Sequence, residues 1–533
     1  MSLNTLTILP DDITVSVQTG TPLVEALSQA GIHLTLPCGG EGRCGKCVVR
    51  VSTNAPQPTE SDRRFLRESA LAEGLRLACG VLVTDTMDVF VPPALRMDEA
   101  GDHWEKMKIS PDTAGGEERL GLAVDLGTTS IAAALISLET GDIRIQSSTL
   151  NPQAPFGADV ISRINAVSKK PENLDTLKEL AARAINELSV RMADRLGTSP
   201  DRIARIAVAG NPTMEHLFFG INPASIALAP FSPAFTAAQK KKAAGLGLKA
   251  DPDADVYLFP VISGYVGGDT LAFIHSARMH KKRRVTLGID IGTNGEIVLS
   301  TGERILACSA AAGPAFEGAQ ITHGMRADLG AIEEVVISDT DVTIAVKGDV
   351  PPRGICGSGL FDAVSQMLQA QILTESGRIA ALGAGRPLAD RIKKDENGTE
   401  FVLYAKNGLT LGITQKDIRQ VQLAKGAIRS GAEILLMEAS LTWDDVDRVL
   451  IAGAFGNYLK PESIVGVGII PPGLLKSIRF VGDAALTGAV EAAVDQATRE
   501  EIEDLAEWID YVELSSDARF NERFIQRLSF AEL

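Results

Sequence analysis

The sequence predicts a small α+β domain followed by a much larger α/β domain with two lobes. Four of the six cysteines fall within the first 80 residues, among short strand and helix patterns. From Leu120 onward, apolar β-rich runs alternate with helical runs, which is typical of α/β folds. One hairpin sequence in this second part occurs twice, 165 residues apart, and it predicts two similarly folded lobes.

Length and charge limit the function. The chain has 533 residues, enough for several domains, with 52 Lys and Arg against 68 Asp and Glu. A net charge of −16 disfavours nonspecific binding to nucleic acid or anionic membranes, because it repels phosphates. The sequence has no apolar run of about 18 residues and no N-terminal signal-peptide pattern. We therefore expect a cytoplasmic protein with neither nucleic acid nor membrane as a partner.

The first domain is predicted from short elements of β-grasp size. Two strands in 3–18 surround a Pro-Asp-Asp turn, and apolar spacing predicts a helix over 22–30. A strand over 46–52, a short helix from Thr59 and strands within 80–91 complete the domain. We assign residues 1–93 to it.

The rest of the chain divides into a linker and two lobes. Residues 94–118 are polar, charged and aperiodic, which is typical of a linker between domains. We assign 119–284 to the first lobe and 285–533 to the second, since a basic run interrupts the pattern before 285. Four amphipathic or terminal helices are predicted over 171–196, 415–438, 484–496 and 516–528.

The clustered cysteines have the spacing of an iron–sulfur site. Cys38, Cys44 and Cys47 lie in one glycine-rich loop, and Cys79 is brought back by the fold. Plant-type 2Fe–2S sites have four residues, then two, between the first three cysteines. Here the first gap is one residue longer, a spacing similar to the adrenodoxin-like subclass. We expect all four cysteines to be metal ligands of a 2Fe–2S cluster.

Zinc and disulfides are the alternatives for these cysteines. Structural zinc favours paired Cys-x2–4-Cys motifs, and Cys79 has no near partner. Disulfides are uncommon in cytosolic proteins. Both alternatives are therefore less favoured than the cluster.

The repeated hairpin carries the candidate nucleotide site. In each copy a strand ends in Asp-apolar-Gly-Thr, so that a carboxylate, a glycine turn and hydrogen-bonding side chains lie together. Glycine lets the backbone approach a phosphate, and the carboxylate can hold Mg²⁺ directly or through water. Neither loop is a Walker P-loop. The expected site residues are Asp125, Gly127, Thr128 and Thr129 in the first copy and Asp290, Gly292, Thr293, Asn294 and Gly295 in the second.

Two further glycine-rich turns are candidates. One follows an apolar strand and suits a contact with adenosine; its residues are Gly453, Ala454, Phe455 and Gly456. The other contains Gly357 and precedes a predicted helix, whose N-terminus could approach a phosphate. Tight packing of helix on strand explains Gly357 equally well.

These motifs carry a resemblance to a known family. The two hairpins and the Gly-Ala-Phe-Gly turn resemble the actin/Hsp70/sugar kinase ATPase fold. With the N-terminal ferredoxin module, nearly the whole chain resembles the reductive activators of corrinoid-dependent enzymes. The stretches that carry the match are 151–164, 207–220, 259–269, 308–327 and 451–473.

The resemblance implies a specific activity. Members use ATP to drive one electron from their 2Fe–2S cluster onto the Co(II) corrinoid of a methyl-transferring partner, which restores Co(I). It implies ATP, Mg²⁺ and the cluster as cofactors, a corrinoid protein or corrinoid-dependent methyltransferase as partner, a low-potential electron donor, and a homodimer as one assembly. Asp125 and Asp290 are the expected catalytic residues. Because no Asp-x-His-x-x-Gly motif occurs in the chain, we expect the corrinoid on the partner.

Other functions stay open at this point. An ATP-driven electron donor to a 2-hydroxyacyl-CoA dehydratase would use Cys356 as a ligand of a 4Fe–4S cluster. A small-molecule kinase with a redox-regulatory domain and a non-enzymatic scaffold are further alternatives. We expect Cys308 and Cys356 to be small buried residues, and His216 and His323 to be structural.

Overall fold

A computed structural model of the chain describes residues 3–9, 12–34, 36, 40, 42, 45–92, 96–97, 118–281, 283–292, 294–318, 321–381, 387–395, 398–406, 409–453 and 459–531. Most of the predicted linker 94–118 lies outside this set. The chain forms two compact units. One is Met1–Phe235 with Gln239–Leu258, and the other is Thr236–Ala238 with Phe259–Leu533.

The N-terminal domain of the first unit contains a five-stranded mixed sheet in the order β2-β1-β8-β5-β6. Apolar residues of β1 alternate, so Leu6 and Ile8 are buried in a core that α1 also faces. The strands are β1 Leu3–Leu9, β2 Ile13–Gln18, β3 Thr21–Pro22, β4 His33–Leu34, β5 Val48–Val51, β6 Leu75–Leu77, β7 Leu82–Val83, β8 Met87–Phe90 and β9 Arg96–Met97. The helices are α1 Leu23–Gln29, α2 Glu60–Phe65 and α3 Glu68–Ala72.

Helix α2 is fixed by its first residues. Thr59 and Asp62 form a capping box, and the Asp62 carboxylate also accepts a hydrogen bond from the backbone N–H of Leu77 at 2.7 Å. This buried carboxylate joins α2 to β6, which precedes the turn that carries Cys79. The predicted elements of this domain are confirmed, with shifts of one or two residues at their ends.

The remainder of the first unit is a six-stranded sheet in the order β12-β11-β10-β13-β15-β14. Strand β10 is antiparallel to β11 and parallel to β13, so a long crossover containing two helices joins β12 to β13. The strands are β10 Leu120–Leu126, β11 Ser130–Ser137, β12 Ile143–Leu150, β13 Ile203–Gly210, β14 Gln239–Lys242 and β15 Asp255–Leu258. The helices are α4 Val160–Lys169, α5 Asn173–Leu196 and α6 Pro212–Phe219.

The second unit is built on a six-stranded sheet in the order β26-β25-β16-β17-β18-β27. Two three-stranded sheets accompany it, β20-β19-β21 and β22-β23-β24. The strands are β16 Thr286–Ile291, β17 Gly295–Ser300, β18 Ile305–Ala310, β19 Ala331–Ile337, β20 Val342–Val346, β21 Gly354–Ile355, β22 Ile392–Asp395, β23 Gly398–Lys406, β24 Leu409–Thr414, β25 Arg448–Ala452, β26 Ile478–Gly482 and β27 Ile509–Tyr511. The helices are α7 Gly268–Ser276, α8 Gly357–Gln369, α9 Gln415–Glu438, α10 Pro461–Gly466, α11 Ala484–Val494, α12 Gln496–Glu507 and α13 Ala518–Arg527.

The two large sheets share one topology. In each, an antiparallel hairpin and a third strand are followed by two strands parallel to the first: β12-β11-β10-β13-β15 matches β18-β17-β16-β25-β26. The duplicated hairpin sequences occupy equivalent positions, β10-β11 and β16-β17. The prediction of two similarly folded lobes is therefore confirmed.

Helix α7 packs in the second unit although it precedes the predicted lobe boundary at 284. A Cβ atom on Gly488 of α11 would lie 2.4 Å from the carbonyl oxygen of Ala272, so the two helices touch through their backbones. The predicted helices over 415–438 and 484–496 are observed as α9 and α11. Within the described ranges, no helix combines the length and the apolar character needed to cross a bilayer.

Candidate functional site

The described half of the cysteine loop brings two thiols together. Cys47 Sγ lies 3.3 Å from Cys79 Sγ; the Cys47 residue is 2% exposed, and Cys79 is partly buried. The hydrogen bond from Cys47 and one from the backbone N–H of Gly42 lower the pKa of the Cys79 thiol to about 7. Iron binds the thiolate form of cysteine, and a lower pKa makes that form more accessible. Cys38 and Cys44 lie outside the described residues.

Glycines make room around these two thiols. Gly45 has a φ of +66°, and a Cβ there would lie 2.7 Å from the Phe65 ring. Gly42 has a φ of +67°, and a Cβ there would lie 2.6 Å from Ser61 Oγ. Only glycine fits such left-handed, crowded positions without strain. A loop that turns its backbone N–H groups towards sulfur fits an iron–sulfur cluster.

The first nucleotide-type loop lies at the carboxyl end of β10 in the first unit. Asp125 and Leu126 end the strand, and Gly127 turns so tightly that a Cβ would lie 2.6 Å from the Ser130 carbonyl oxygen. Asn151, which is fully buried, donates from Nδ2 to the Gly127 carbonyl oxygen at 2.8 Å. The buried Asn151 side chain thus stabilises the conformation of the loop.

Two further side chains hold Thr128, and sequence reasoning did not single them out. Arg163 is fully buried and donates to the carbonyl oxygens of Thr128 and Gly157. Asn211 donates from Nδ2 to Thr128 Oγ1 at 2.9 Å, while its side-chain oxygen caps α6. Both residues lie in stretches that carried the family resemblance, so the signal was present without a role attached to it.

Replacing Asn211 with alanine should raise the Kd for ATP, beyond what an equal loss of folding stability elsewhere in the chain would cause. The change removes a helix cap and one hydrogen bond, which lowers the free energy of unfolding by about 1–2 kcal/mol. It also releases the Thr128 hydroxyl, so we expect a higher Kd for ATP by calorimetry.

The matched control is Asn186→Ala. Asn186 likewise bridges two backbone groups, of Gly247 and Lys249, and it has no contact with the Thr128 loop. We expect a similar loss of thermal stability with unchanged ATP affinity. Equal losses of affinity in the two variants would contradict the role of Asn211.

The second loop lies at the carboxyl end of β16 in the second unit. Asp290 precedes the last strand residue, and the Gly292 N–H donates to the Asn294 carbonyl oxygen at 3.0 Å to close the turn. A Cβ on Gly295 would lie 2.9 Å from the Ile428 side chain, so close packing of β17 on α9 requires glycine here. Thr293 lies outside the described residues.

Asp290 belongs to a cluster of carboxylates that sequence reasoning did not assemble. Asp269 lies in the first turn of α7, Glu296 pairs with Asp290 across the hairpin, and Asp483 caps α11. Burial, followed by the charges of Asp269 and Asp483, raises the pKa of Asp290 to about 7. Burial likewise raises the pKa of Asp269 and of Asp483 to about 6, and that of Glu296 well above its usual range.

Within the described ranges, the four carboxylates of this cluster form no ion pair that would neutralise them. Mutual repulsion in a poorly solvated place is relieved when a cation binds. Carboxylate oxygens are the ligands that Mg²⁺ prefers, so the cluster fits Mg²⁺.

The raised pKa values predict a pH-dependent stability of the protein without nucleotide or Mg²⁺. A carboxyl group with a raised pKa binds its proton more tightly in the folded state. Its contribution to stability is therefore lost as pH rises from about 4 to about 7. We expect Asp290→Asn to raise the melting temperature most near about pH 8, by a smaller amount near about pH 5.5, and not at all below about pH 4.

Added Mg²⁺ is the control for this pH effect. Because the cation neutralises the carboxylates, it should raise the melting temperature of the wild type near about pH 8 more than that of Asp290→Asn. A wild type and variant that melt together at both pH values would contradict this electrostatic account.

The other two predicted turns differ in what they show. A Cβ on Gly453 would lie 2.8 Å from Asp290 Oδ1, so this glycine adjoins the carboxylate cluster. Ala454, Phe455 and Gly456 lie outside the described residues. A Cβ on Gly357 would lie 1.6 Å from the Phe316 carbonyl oxygen, so tight packing by itself requires that glycine.

The isolated histidine and cysteines are structural, as predicted. His216 is fully buried, with Nδ1 2.6 Å from the Pro212 carbonyl oxygen and Nε2 accepting from the Ala234 N–H at 2.9 Å. Burial lowers its pKa to about 4, so the ring is neutral. Cys308 and Cys356 are 0% and 1% exposed. A buried Cys356 is poorly placed to bind a cluster shared with a second chain.

Comparison with known proteins divides the chain into three matched regions. Residues 6–84 match the 2Fe-2S iron-sulfur cluster binding domain, and residues 120–282 match the RACo middle region. Residues 284–533 match the C-terminal domain of RACo, the ASKHA domain.

One curated relative decides the family. The corrinoid activation enzyme RamQ of Eubacterium limosum is 30% identical, and the match covers 98% of each chain. This chain belongs to the family of corrinoid reductive activators. The [Co(II) methylated amine-specific corrinoid protein] reductase of Methanosarcina barkeri is 26% identical over 77% of each chain. The solved structure of a reductive activator for corrinoid,iron-sulfur protein is 30% identical, covers 99% of this chain and 98% of its own, and has a TM-score of 0.71.

Membership in the corrinoid reductive activators confirms the predicted fold class. An N-terminal β-grasp ferredoxin domain precedes a two-lobed ATPase of the actin/Hsp70/sugar kinase type. The matched domains also establish the cofactors: a 2Fe–2S cluster from the first, and ATP with its usual Mg²⁺ from the ASKHA domain. The individual ligands and nucleotide contacts stay predictions.

Proposed function

We propose that this chain is an ATP-dependent reductive activator that returns the cobalt of a corrinoid protein from Co(II) to Co(I). The observation that carries the proposal is the full-length similarity to a corrinoid activation enzyme, over 98% of both chains. A second relative is named as a reductase of a Co(II) corrinoid protein. One electron from a low-potential donor enters the chain, and one electron leaves it for cobalt.

The ferredoxin domain supplies one-electron chemistry through its bound 2Fe–2S cluster. We assign Cys38, Cys44, Cys47 and Cys79 as its ligands. Proximity of the Cys47 and Cys79 thiols, 3.3 Å apart, and the glycine turns around them support this assignment.

The ATPase part is proposed to bind ATP and Mg²⁺ through its two equivalent loops. Asp290, with the carboxylates around it, is assigned to Mg²⁺ and to positioning water. Asp125 has the equivalent place in the first loop. Thr128, held by Asn211, and Thr129 are assigned to phosphates, as are the corresponding Thr293 and Asn294.

ATP is needed because reduction of a low-potential metal is uphill. For one electron, a deficit of about 200 mV corresponds to about 4.6 kcal/mol. A ligand that shifts a two-state equilibrium from 1:99 to 99:1 must supply about 5.5 kcal/mol of differential binding. Nucleotide-dependent binding of the partner therefore has the required order of energy.

Anaerobic spectroscopy tests this function. The reconstituted chain is mixed with a low-potential reductant and a purified Co(II) corrinoid protein, and formation of Co(I) is followed by its absorption. We expect Co(I) to form only with chain, reductant and ATP together. Equal Co(I) formation with ATP omitted would overturn the proposal. So would the failure to form Co(I) with corrinoid proteins of several classes.

A low-potential electron donor, a homodimer and a cytoplasmic location stay predictions. Co-purification at physiological ionic strength and sedimentation of the holoprotein measure the partner and the assembly.

A further inference from the structure

A group of two histidines and one glutamate lies in the second unit, apart from the carboxylates around Asp290. His275 is near the end of α7, His280 is in the following short helical turn Met279–Lys281, and Glu501 is in α12. His280 Nε2 lies 2.8 Å from Glu501 Oε1, and His275 Nε2 lies 3.4 Å from Glu501 Oε2. One donor atom from each of the three residues lies within 4.8 Å of the other two.

The orientation of His275 leaves one nitrogen for a ligand. Its Nδ1 lies 2.7 Å from Glu491 Oε2, and Arg278 holds the other oxygen of that carboxylate at 2.7 Å. With a proton on Nδ1 that is donated to Glu491, the Nε2 lone pair faces the Glu501 carboxylate and is available to a metal. Lys281 Nζ lies 2.7 Å from Glu501 Oε1 and 3.1 Å from Oε2, so it is the cation beside this carboxylate when no metal is bound. A carboxylate behind a histidine is the usual support of a metal-binding imidazole.

His280 also has the properties of a metal ligand. Its Nε2 faces Glu501 Oε1 at 2.8 Å, so one imidazole nitrogen lies on the side of the carboxylate. Its Nδ1 atom is buried without a hydrogen-bond partner in the described part of the chain. Among the described residues, the hydrogen-bond partner of this ring is therefore Glu501, which Nε2 faces.

We propose that His275, His280 and Glu501 form a binding site for a divalent transition metal of the zinc class. Zinc bonds of 2.0–2.2 Å to nitrogen and oxygen place tetrahedral donors about 3.3 Å apart. The separations of 2.8 Å (His280 Nε2 to Glu501 Oε1) and 3.4 Å (His275 Nε2 to Glu501 Oε2) run to different carboxylate oxygens, and one donor atom from each residue lies within 4.8 Å of the others. A small movement of the side chains would therefore bring the three donors around one metal ion. Imidazole nitrogens select zinc, copper or nickel over Mg²⁺, which sets this site apart from the all-carboxylate cluster. Water fills the fourth position.

Lys281 is the group that the metal displaces. Its Nζ lies 2.7 Å from Glu501 Oε1, and it neutralises that carboxylate when no metal is bound. The Lys281 side chain is 49% exposed, so it can move into solvent at low cost. A bound metal then joins α7 to α12, in addition to the contact that His275 makes with α11 through Glu491.

Zinc uptake by the holoprotein tests the site. The protein with its iron–sulfur cluster is dialysed against Zn²⁺ in excess Mg²⁺, and zinc and iron are counted together by elemental analysis. We expect one zinc per chain with no loss of iron. We expect Glu501→Gln and His280→Gln to lose this zinc, because each removes one of three protein ligands. Glu491→Gln should weaken zinc binding about ten- to a hundredfold.

His323→Gln is the matched control, since His323 also pairs with one glutamate, Glu400, at 3.1 Å in the same unit. This variant should keep its zinc. The melting temperature without zinc shows whether each variant is folded. Zinc should raise it fully in the wild type and in His323→Gln, less in Glu491→Gln, and not in Glu501→Gln or His280→Gln.

X-ray absorption at the zinc edge provides a readout that does not depend on any variant. We expect two imidazole nitrogens at about 2.0 Å and no sulfur near about 2.3 Å. Zinc–sulfur bonds, zinc uptake that is unchanged in Glu501→Gln and His280→Gln, or no zinc uptake at all would overturn the proposal.

Discussion

Asp290→Asn should lower ATP-dependent Co(I) formation and ATP hydrolysis about a hundredfold or more, the scale for loss of one catalytic electrostatic group. Asp290 lies at the end of β16 beside Gly453, among Asp269, Glu296 and Asp483. Asparagine keeps the size of the side chain and removes the charge that holds Mg²⁺. The rate of ATP hydrolysis and the rate of Co(I) formation measure the effect.

A control variant and a control measurement make this result specific. Asp339→Asn changes an exposed aspartate in the turn after β19, so it should leave both rates unchanged. The cluster absorption should be the same in both variants, because the ferredoxin domain is untouched. Reduction of cobalt by Asp290→Asn at the wild-type rate would contradict the catalytic role of this carboxylate.

The same variant is expected to be more stable than the wild type near about pH 8 without Mg²⁺. A gain in stability with a loss of activity distinguishes removal of a functional charge from damage to the fold. It also explains why four carboxylates persist together: the arrangement is unfavourable alone and becomes favourable with a bound cation.

Features that depend on local sequence could be predicted. The hairpins β10-β11 and β16-β17 follow from apolar runs around a glycine turn, and helix α9 follows from its apolar spacing and its Thr414 capping box. The repeat also predicts the shared topology, because equal hairpins in one chain imply equal lobes.

Contacts between residues that are far apart in the sequence could not be predicted. Asp269, Asp290 and Asp483 meet because β25 and β26 add in parallel to β16, and no spacing in the sequence encodes that order. Gly357 differs, because its motif was visible in the sequence but the contact that requires glycine is tertiary. Its motif was equally consistent with a phosphate contact and with tight packing; the close approach of the Phe316 carbonyl accounts for the glycine, and the phosphate contact stays a prediction.

Cys79→Ser should remove the iron–sulfur cluster and with it all electron transfer to cobalt. Cys79 is partly buried, and its sulfur lies 3.3 Å from Cys47 Sγ. Serine is a poor ligand for iron in a cluster that cysteine thiolates normally hold. We expect iron and acid-labile sulfide to fall from about two per chain to near zero, and Co(I) formation to fall at least about a hundredfold. ATP binding, measured by calorimetry, should persist.

Cys356→Ser separates a cluster ligand from a buried cysteine. Cys356 is 1% exposed, and its Sγ lies 3.2 Å from the Ile332 carbonyl oxygen, a contact that a serine hydroxyl can keep. This variant should retain its iron and its activity. A 4Fe–4S activator of the dehydratase kind would give the reverse pattern, with iron lost from Cys356→Ser and retained by Cys79→Ser. The pair of variants therefore decides which cysteine is a cluster ligand, because the 2Fe–2S function assigns that role to Cys79 and the 4Fe–4S function assigns it to Cys356.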